Sequence, residues 1–233
     1  MRSLPIFRFF CLFTAIATSA AVAATAGKAG GNELVIAANG KTSAIIVVSP
    51  GADANEKQAA SDLARYVGLM CGTTPAIANT DAAIKKAMAG KAPKLVVGEA
   101  ALKAQPKLRG ALAGVLKKKP HLRTDGIVLR REGDRVYLAG NNDRAHYFAI
   151  AELLRRWGCR WYIPTEFGEC IPDEPNLKVG ALDHTYCSPF EVRTYWISWV
   201  GDNSGRQEFQ MRNMMTERGD MPQSGHALGK YTK

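Results

Sequence analysis

Short apolar runs alternate with segments of helical periodicity over residues 32–172, and this alternation limits the fold more than any other feature. The run Ala44–Val48 is typical of a buried strand. In Asn55–Cys71 the apolar residues recur at helical spacing. The runs Gly126–Arg130 and Arg135–Ala139 flank a Glu-Gly-Asp turn and predict a hairpin. Such alternation predicts an α/β fold of the two-layer α+β type, with helices packed on a mixed sheet.

Glycine and proline mark where several of these elements end. Gly72 is expected to end the first helix. The segment Glu99–Leu116 is predicted to be helical with interruptions at Pro106 and Gly110. A helix follows the hairpin, and the chain then returns as a strand over Cys159–Ile163. These signals predict one α/β module over residues 32–172.

The composition changes after the module. Prolines punctuate residues 173–188, which predicts a loop-rich linker. Phe190–Ser198 alternates like a strand, and Ser204–Met215 is predicted to be a helix. We therefore expect 189–233 to form the opening β-α of a larger unit.

The first 23 residues have the layout of a secretory signal peptide. Arg2 and Arg8 precede the apolar run Phe9–Val22, and a small-x-small cleavage site lies before Ala24. A membrane anchor is the alternative, but the run is shorter than the ~20 residues a spanning helix needs. We expect an exported protein, periplasmic or extracellular, without a membrane segment after cleavage.

The basic charge is concentrated in one window. The chain carries a formal charge of +10, and loss of Arg2 and Arg8 leaves +8. The window Lys103–Arg131 alone holds nine basic residues and one acid, again +8. It is either a solvated face or a site for an anionic polymer or the cell envelope. The candidate residues for the second interpretation are Lys117, Lys118, Lys119 and Arg123. Nucleic acid is not an expected partner, because no aromatic side chain lies between residues 67 and 136 to stack on a base.

Several common catalytic and binding motifs are absent from the sequence. There is no phosphate loop, dinucleotide fingerprint or nucleophile elbow, so no cofactor is expected. The cysteines lack the spacing of a zinc site, and no metal is expected. Two disulfides, one or none remain possible for an exported chain. The four cysteines beyond the signal are Cys71, Cys159, Cys170 and Cys187.

Three stretches resemble a known module. They are Thr124–Leu129, Arg135–Gly140 and Leu153–Pro164, and Gly-Cys-Arg-Trp at 158–161 is the most specific part. Together they are similar to the N-terminal module of α-glucuronidase-type glycoside hydrolases. They look still more like a broad set of secreted bacterial proteins that carry this module. A similar module precedes the barrel in β-hexosaminidases.

The resemblance implies that a catalytic (β/α)₈ barrel follows the module. Ser188–Arg193 resembles the first barrel strand, and Trp199 with Asp202-Asn203 loosely resembles a stretch near the family's sugar site, although two residues intervene. A barrel needs about 250 residues, so we expect a truncated chain with an incomplete barrel. The family's catalytic carboxylates come from later strands, and no catalytic residue is expected here. The candidate substrate-binding residues are Arg193, Trp196, Trp199, Asp202, Asn203, Asn213 and His226.

Three functional hypotheses follow. The first is an exported non-catalytic accessory module of a glycoside-hydrolase-like protein, which supports a barrel or helps to bind a polysaccharide, possibly an acidic one. The second is the front end of an active glycosidase of the α-glucuronidase or hexosaminidase type, which hydrolyses O-glycosidic bonds. The third is a protein that binds the envelope or an anionic glycan through the basic window.

Overall fold

The computed structural model describes residues 33–195 and 205–216. A six-stranded mixed sheet forms its centre. The strands are β1 Leu34–Val35, β2 Ile45–Val47, β3 Ala76–Ala78, β4 Lys94–Val97, β5 Gly126–Glu132, β6 Arg135–Gly140, β7 Arg160–Trp161, β8 Glu169–Cys170, β9 Lys178–Val179 and β10 Asp183–Cys187. The helices are α1 Ala54–Cys71, α2 Asp81–Ala89, α3 Glu99–Ala104, α4 Lys107–Val115, α5 Asp143–Arg156 and α6 Arg206–Arg212, with a 3₁₀ turn at Glu166–Gly168.

The strand order in the central sheet is β10-β5-β6-β4-β2-β3. Four neighbouring strands run parallel to one another: β3, β2, β4 and β6. Strand β5 pairs antiparallel with β6, and β10 pairs antiparallel with β5. Two small antiparallel pairs, β1 with β9 and β7 with β8, lie outside this sheet. The predicted α/β class and mixed sheet are confirmed.

Helices cover both faces of the sheet, so the module has three layers where the sequence predicted two. Helices α1 and α5 pack on the face that includes Ile46 and Leu95. Helices α2, α3 and α4 pack on the opposite face, which includes Val47 and Val96. Strand β4 is buried along its whole length, as expected for a parallel strand enclosed on both sides.

Local residues set the ends of the helices. Asp53 caps α1 through a capping box with Glu56, and Gly72 ends the helix in the left-handed conformation. The interruption predicted at Pro106 separates α3 from α4. The interruption predicted at Gly110 is wrong, because that residue lies inside α4. One glycine in a helix costs only about 1 kcal/mol relative to alanine, which buried Leu108 and Leu112 offset by packing on the sheet.

Residues 173–188, predicted as a linker, contribute β9 and β10, and β10 is an edge strand of the central sheet. Strand β10 is mostly polar and half-exposed, so its sequence lacks the apolar run of a central strand. The strand predicted at Cys159–Ile163 is shorter in the structure, where β7 pairs with β8 outside the central sheet. The strand predicted at Phe190–Ser198 is not formed over 190–195, and its remainder lies outside the described residues.

Helix α6 falls within the predicted helix Ser204–Met215. Its Phe209 and Met211 are buried in the same core as α1 and α5. The chain beyond the sheet is therefore packed against the module where the structure describes it. None of the helices in the described ranges is long and apolar enough to cross a membrane.

Replacing Gly140 by alanine should destabilise the fold. A Cβ atom there would lie 2.2 Å from the backbone carbon of Ala145, a collision that costs about 1–3 kcal/mol. Gly110→Ala is the matched control, because a Cβ at Gly110 meets open space and should stabilise by roughly 0.5–1 kcal/mol. Urea unfolding of both variants measures the difference, and equal stabilities would contradict this packing.

Candidate functional site

The predicted site residues are divided between described and undescribed parts of the chain. Arg193, Asn213 and the four candidates of the basic window are described. Outside the described residues lie Trp196, Trp199, Asp202, Asn203 and His226.

Arg123 and Arg193 meet at one buried carboxylate, Asp125. Arg193 Nη2 lies 2.7 Å from Asp125 Oδ2, and Arg123 Nε lies 3.4 Å from Asp125 Oδ1. Arg123 also donates to Asn142 at 2.5 Å and contacts Asp143. Burial opposes ionisation of Asp143, but donors from the backbone of Arg144 and from Arg123 lower its pKa. The structure thus brings together two arginines that the sequence assigned to separate roles.

Each nitrogen of the Arg193 guanidinium donates to a group of this chain. Its Nε donates to the carbonyl of Met214 at 2.7 Å, and its Nη1 donates to the carbonyl of Phe190 at 2.8 Å. Its backbone also exchanges hydrogen bonds with Thr216. These contacts join residues 190–193 to residues 214–216, so the side chain has a structural role here. Its binding of a sugar stays a prediction.

Carboxylates from outside the basic window neutralise part of it. Lys117 lies 2.9 Å from Glu191, and this ammonium, with the N–H of Leu122, lowers the pKa of the Glu191 carboxyl group. Arg109 lies 2.7 Å from Glu99. Lys118 and Lys119 are exposed. Several of the nine basic residues of the window are therefore paired with carboxylates.

A buried histidine lies at the carboxyl edge of the parallel strands. His146 Nδ1 accepts the N–H of Gly140 at 3.0 Å, and its Nε2 lies 3.8 Å from Glu99 Oε1. Burial lowers the pKa of His146, and the charges of Glu56 and Glu99 partly oppose this. The acceptor role of Nδ1 requires the neutral ring.

A second polar cluster, which we name the Arg212 clamp, joins α6 to the module. Arg212 Nη1 lies 2.8 Å from Glu169 Oε1, and its Nε lies 3.4 Å from Asp62 Oδ2. Tyr66 donates its hydroxyl to Glu169 at 2.9 Å, and Tyr147 donates to Asp62. Each carboxylate of the Arg212 clamp therefore has both a cationic and a phenolic partner.

The surroundings of the Arg212 clamp hold its charges in place. The side chains of Asp62 and Glu169 are only 4% and 8% exposed. Burial disfavours the Arg212 cation, but the charges of the Asp62 and Glu169 carboxylates raise its pKa. Burial also raises the pKa of Tyr147, so its phenol stays protonated and continues to donate.

Hydrogen bonds from an indole and from an amide side chain position the residues around the Arg212 clamp. Trp161 Nε1 donates to the hydroxyl of Tyr66 at 2.8 Å, and the two rings meet edge to face. Asn213 donates to the carbonyls of Trp161 and Phe209. Asn213 therefore ties α6 to β7, and its predicted role at a sugar stays a prediction.

The sequence analysis did not identify the Arg212 clamp. Asp62 and Arg212 are 150 residues apart in the sequence, and neither belongs to a recognisable motif. One signal was present: Asp62 falls among the apolar residues of α1 and is buried there. A buried acid requires a partner.

A cavity of about 370 Å³ opens beside the Arg212 clamp. Its walls come from α1, the β7–β8 loop and α6. The residues that line it include Arg65, Trp161, Glu166, Glu169, Glu208 and Arg212. A pocket of this size is at the small end of the range for ligand sites.

The described cysteines and acids do not indicate a redox site or a metal site. All four described cysteines are free thiols, and burial raises the pKa of Cys159 to about 11, which suppresses its reactive thiolate form. Within residues 33–195 and 205–216, no three His, Cys, Asp or Glu side chains are grouped to hold a metal ion.

Comparison with known proteins found that no protein-family model matches this chain and no curated protein matches it.

The free energy of unfolding should fall as the pH drops below about 6.5. The unfolded chain takes up a proton there, whereas folded His146 has a lowered pKa and stays neutral. The stabilising contribution of neutral His146 is therefore complete above the pKa that this residue has in the unfolded chain. It is lost as the pH falls toward the lower pKa that the residue has in the folded protein. His146→Gln keeps an acceptor for the Gly140 N–H and should flatten this part of the profile. NMR titration measures the pKa, and a value at or above 6.5 would contradict the burial argument.

Proposed function

We propose that this protein is an exported, non-catalytic accessory module of a glycoside-hydrolase-like carbohydrate-active protein, and that its α/β body holds the chain that follows it. The Arg212 clamp is the observation that carries the proposal. One guanidinium of α6 lies between two buried carboxylates of the module. The carbohydrate context and the export rest on the resemblance and on the N-terminal segment.

The cost of burying charge is the first argument that the module holds α6 through the Arg212 clamp. A carboxylate removed from water costs several kcal/mol unless it is paired and hydrogen-bonded. Asp62 and Glu169 are paired by a residue of α6, although they belong to the module. The module and α6 therefore stabilise each other.

A second set of contacts lies just after α6, at residues 215–216. The N–H of Thr216 donates to the carbonyl of Arg193 at 2.8 Å. Arg144 of α5 donates to the carbonyl of Met215 at 2.6 Å. Residues 205–216 are thus bound at the Arg212 clamp and again at their final residues.

Apolar contacts complete the attachment of α6. Phe209 is 7% exposed, and its ring meets Tyr195 edge to face with centroids 5.3 Å apart. Full burial of a phenylalanine contributes about 1.5–3 kcal/mol. Met211 is buried beside it. Because α6 has only seven residues, these contacts rather than helix propensity must stabilise it.

The chemistry of the Arg212 clamp favours a non-catalytic function over the alternative of an active glycosidase. Glycoside hydrolysis uses two carboxyl groups on either side of the scissile bond, one of them protonated or nucleophilic. Asp62 and Glu169 are instead buried and committed to internal partners. The envelope-binding alternative is weakened by the ion pairs of Lys117, Arg109 and Arg123.

Replacing Arg212 by methionine should destabilise the whole module by about 3–5 kcal/mol. The change removes the cation that pairs with buried Asp62 and one of the two arginines that pair with buried Glu169, the other being Arg65 at 3.3 Å. Limited proteolysis should then cut within residues 205–216. Arg156→Met is the matched control, since the Arg156 side chain is 41% exposed in its pair with Glu152, an i,i+4 helix pair worth about 0.5 kcal/mol. If both variants lose the same small stability in urea, α6 is not held by the Arg212 clamp.

The purified chain should hydrolyse no glycoside above the buffer rate. Aryl glycosides of xylose, glucuronic acid and N-acetylglucosamine report the activities that the resemblance suggests. Enzymatic turnover of any of them by the chain alone would refute the non-catalytic function and support the glycosidase alternative.

A further inference from the structure

The topology of the central sheet places a crevice between two neighbouring parallel strands, β2 and β4. After β2 the chain enters α1, which packs on one face of the sheet and leads to β3. After β4 the chain enters α3 and α4, which pack on the opposite face and lead toward β5. In open α/β sheets such a reversal opens a crevice at the carboxyl ends of the two strands, and ligands bind there.

A cavity of about 750 Å³ begins at this crevice and extends between α2 and α3. Ser49 and Pro50, which follow β2, line it, and so does Glu99, the first residue of α3 after β4. Its volume falls well inside the range of small-molecule sites. The place of the cavity in the topology and its volume are two separate indications of a ligand site.

The inner walls of the cavity are aliphatic. Val47 and Val96 of the sheet line it and are almost completely buried. Ile84 and Met88 line it from α2, and Ala100 lines it from α3. None of the described residues that line it is aromatic, so no ring is present to stack on a nucleobase or on the apolar face of a sugar. These walls suit an aliphatic chain, which needs only removal from water.

The charged groups of the lining favour an anion. Lys103 has no ion-pair or hydrogen-bond partner within the part of the chain that the structure describes. Arg109 pairs with Glu99 at 2.7 Å, but both side chains are more than half exposed, and such a pair contributes little to stability. Asp81, the other acid of the lining, lies in the first turn of α2, where the helix dipole stabilises its charge. The cation that remains without a counterion is therefore Lys103.

The helices around the cavity add to its positive potential. Together α2, α3 and α4 carry two acids, Asp81 and Glu99, against five cations. The cations are Lys85, Lys86, Lys103, Lys107 and Arg109. This excess attracts an anionic ligand to the cavity and repels a cationic one.

We propose that this cavity binds the anion of a fatty acid, with the hydrocarbon chain between α2 and α3 and the carboxylate at Lys103. This goes beyond the proposed function, because the cavity lies on the opposite face of the sheet from α1 and α5, on which the Arg212 clamp is built. Fatty-acid binding and the stability effect of Arg212 can therefore fail independently.

Calorimetric titration of the full chain with single-chain probes, each below its micelle concentration, tests the ligand class. Dodecanoate should bind, and decanoate should bind about fifteenfold more weakly, because each buried methylene contributes about 0.8 kcal/mol. Dodecyltrimethylammonium, which has the same chain and a cationic head, should not bind. Phosphatidylglycerol vesicles should not retain the protein, because a lipid held in a bilayer does not enter the cavity.

A charge reversal tests the position of the carboxylate. Lys103→Glu should weaken dodecanoate binding about tenfold, which corresponds to about 1.4 kcal/mol. Lys107→Glu is the matched control, because Lys107 is also an exposed lysine of the same segment but does not line the cavity. It should bind dodecanoate within about twofold of the wild type, since salt screens an exposed charge outside the site.

Methyl NMR of the protein with labelled methionines locates the hydrocarbon chain. Met88 lines the cavity, whereas Met70 is buried in the core on the opposite face of the sheet. Dodecanoate should shift the methyl resonance of Met88 and leave that of Met70 and the circular dichroism unchanged. The proposal is overturned if dodecanoate does not bind, if dodecyltrimethylammonium binds as tightly, if only the vesicles bind, if Lys103→Glu binds as the wild type does, or if Met70 shifts in place of Met88.

Discussion

The position of one arginine between two buried carboxylates determines how much of this chain folds as one body. Asp62 and Glu169 would each be costly to bury alone, and Arg212 satisfies both. Without α6, Asp62 would lose the Arg212 cation, and Glu169 would keep only the more exposed of its two arginine partners described here, Arg65 at 3.3 Å. This constraint makes the segment after the sheet part of the folded unit.

The sheet topology places the partners of this arginine. Helices α1 and α5 pack side by side on one face of the sheet, which brings Asp62 of α1 to Tyr147 of α5. The small β7–β8 pair brings Trp161 and Glu169 to Tyr66, one turn after Asp62 in α1. Helix α6 then closes the cluster with Arg212. The cavity beside the Arg212 clamp follows from this geometry, since Trp161 and Glu169 of the β7–β8 pair line it.

Local sequence patterns predicted the helices and strands that bury their own apolar residues. They failed for features that depend on contacts between residues far apart in the sequence. The apolar strand Ala44–Val48 and the periodic helix Asn55–Cys71 were predictable, because each buries a continuous apolar face. Strand β10 was predicted as part of a linker because an edge strand needs backbone pairing but few apolar residues. The pairing of Asp62 with Arg212 could not be predicted from the sequence, because neither residue type signals a partner 150 positions away.

The central claim is that α6 is an integral part of the module, and native-state hydrogen exchange tests it most directly. The amides of Phe209 and Asn213 donate within α6, and that of Thr216 donates to Arg193. The claim predicts that these amides exchange with the same opening free energy as those of the buried strand β4, because all of them open only in global unfolding. Exchange of the α6 amides near the rate of an unfolded peptide, while β4 stays protected, would contradict it.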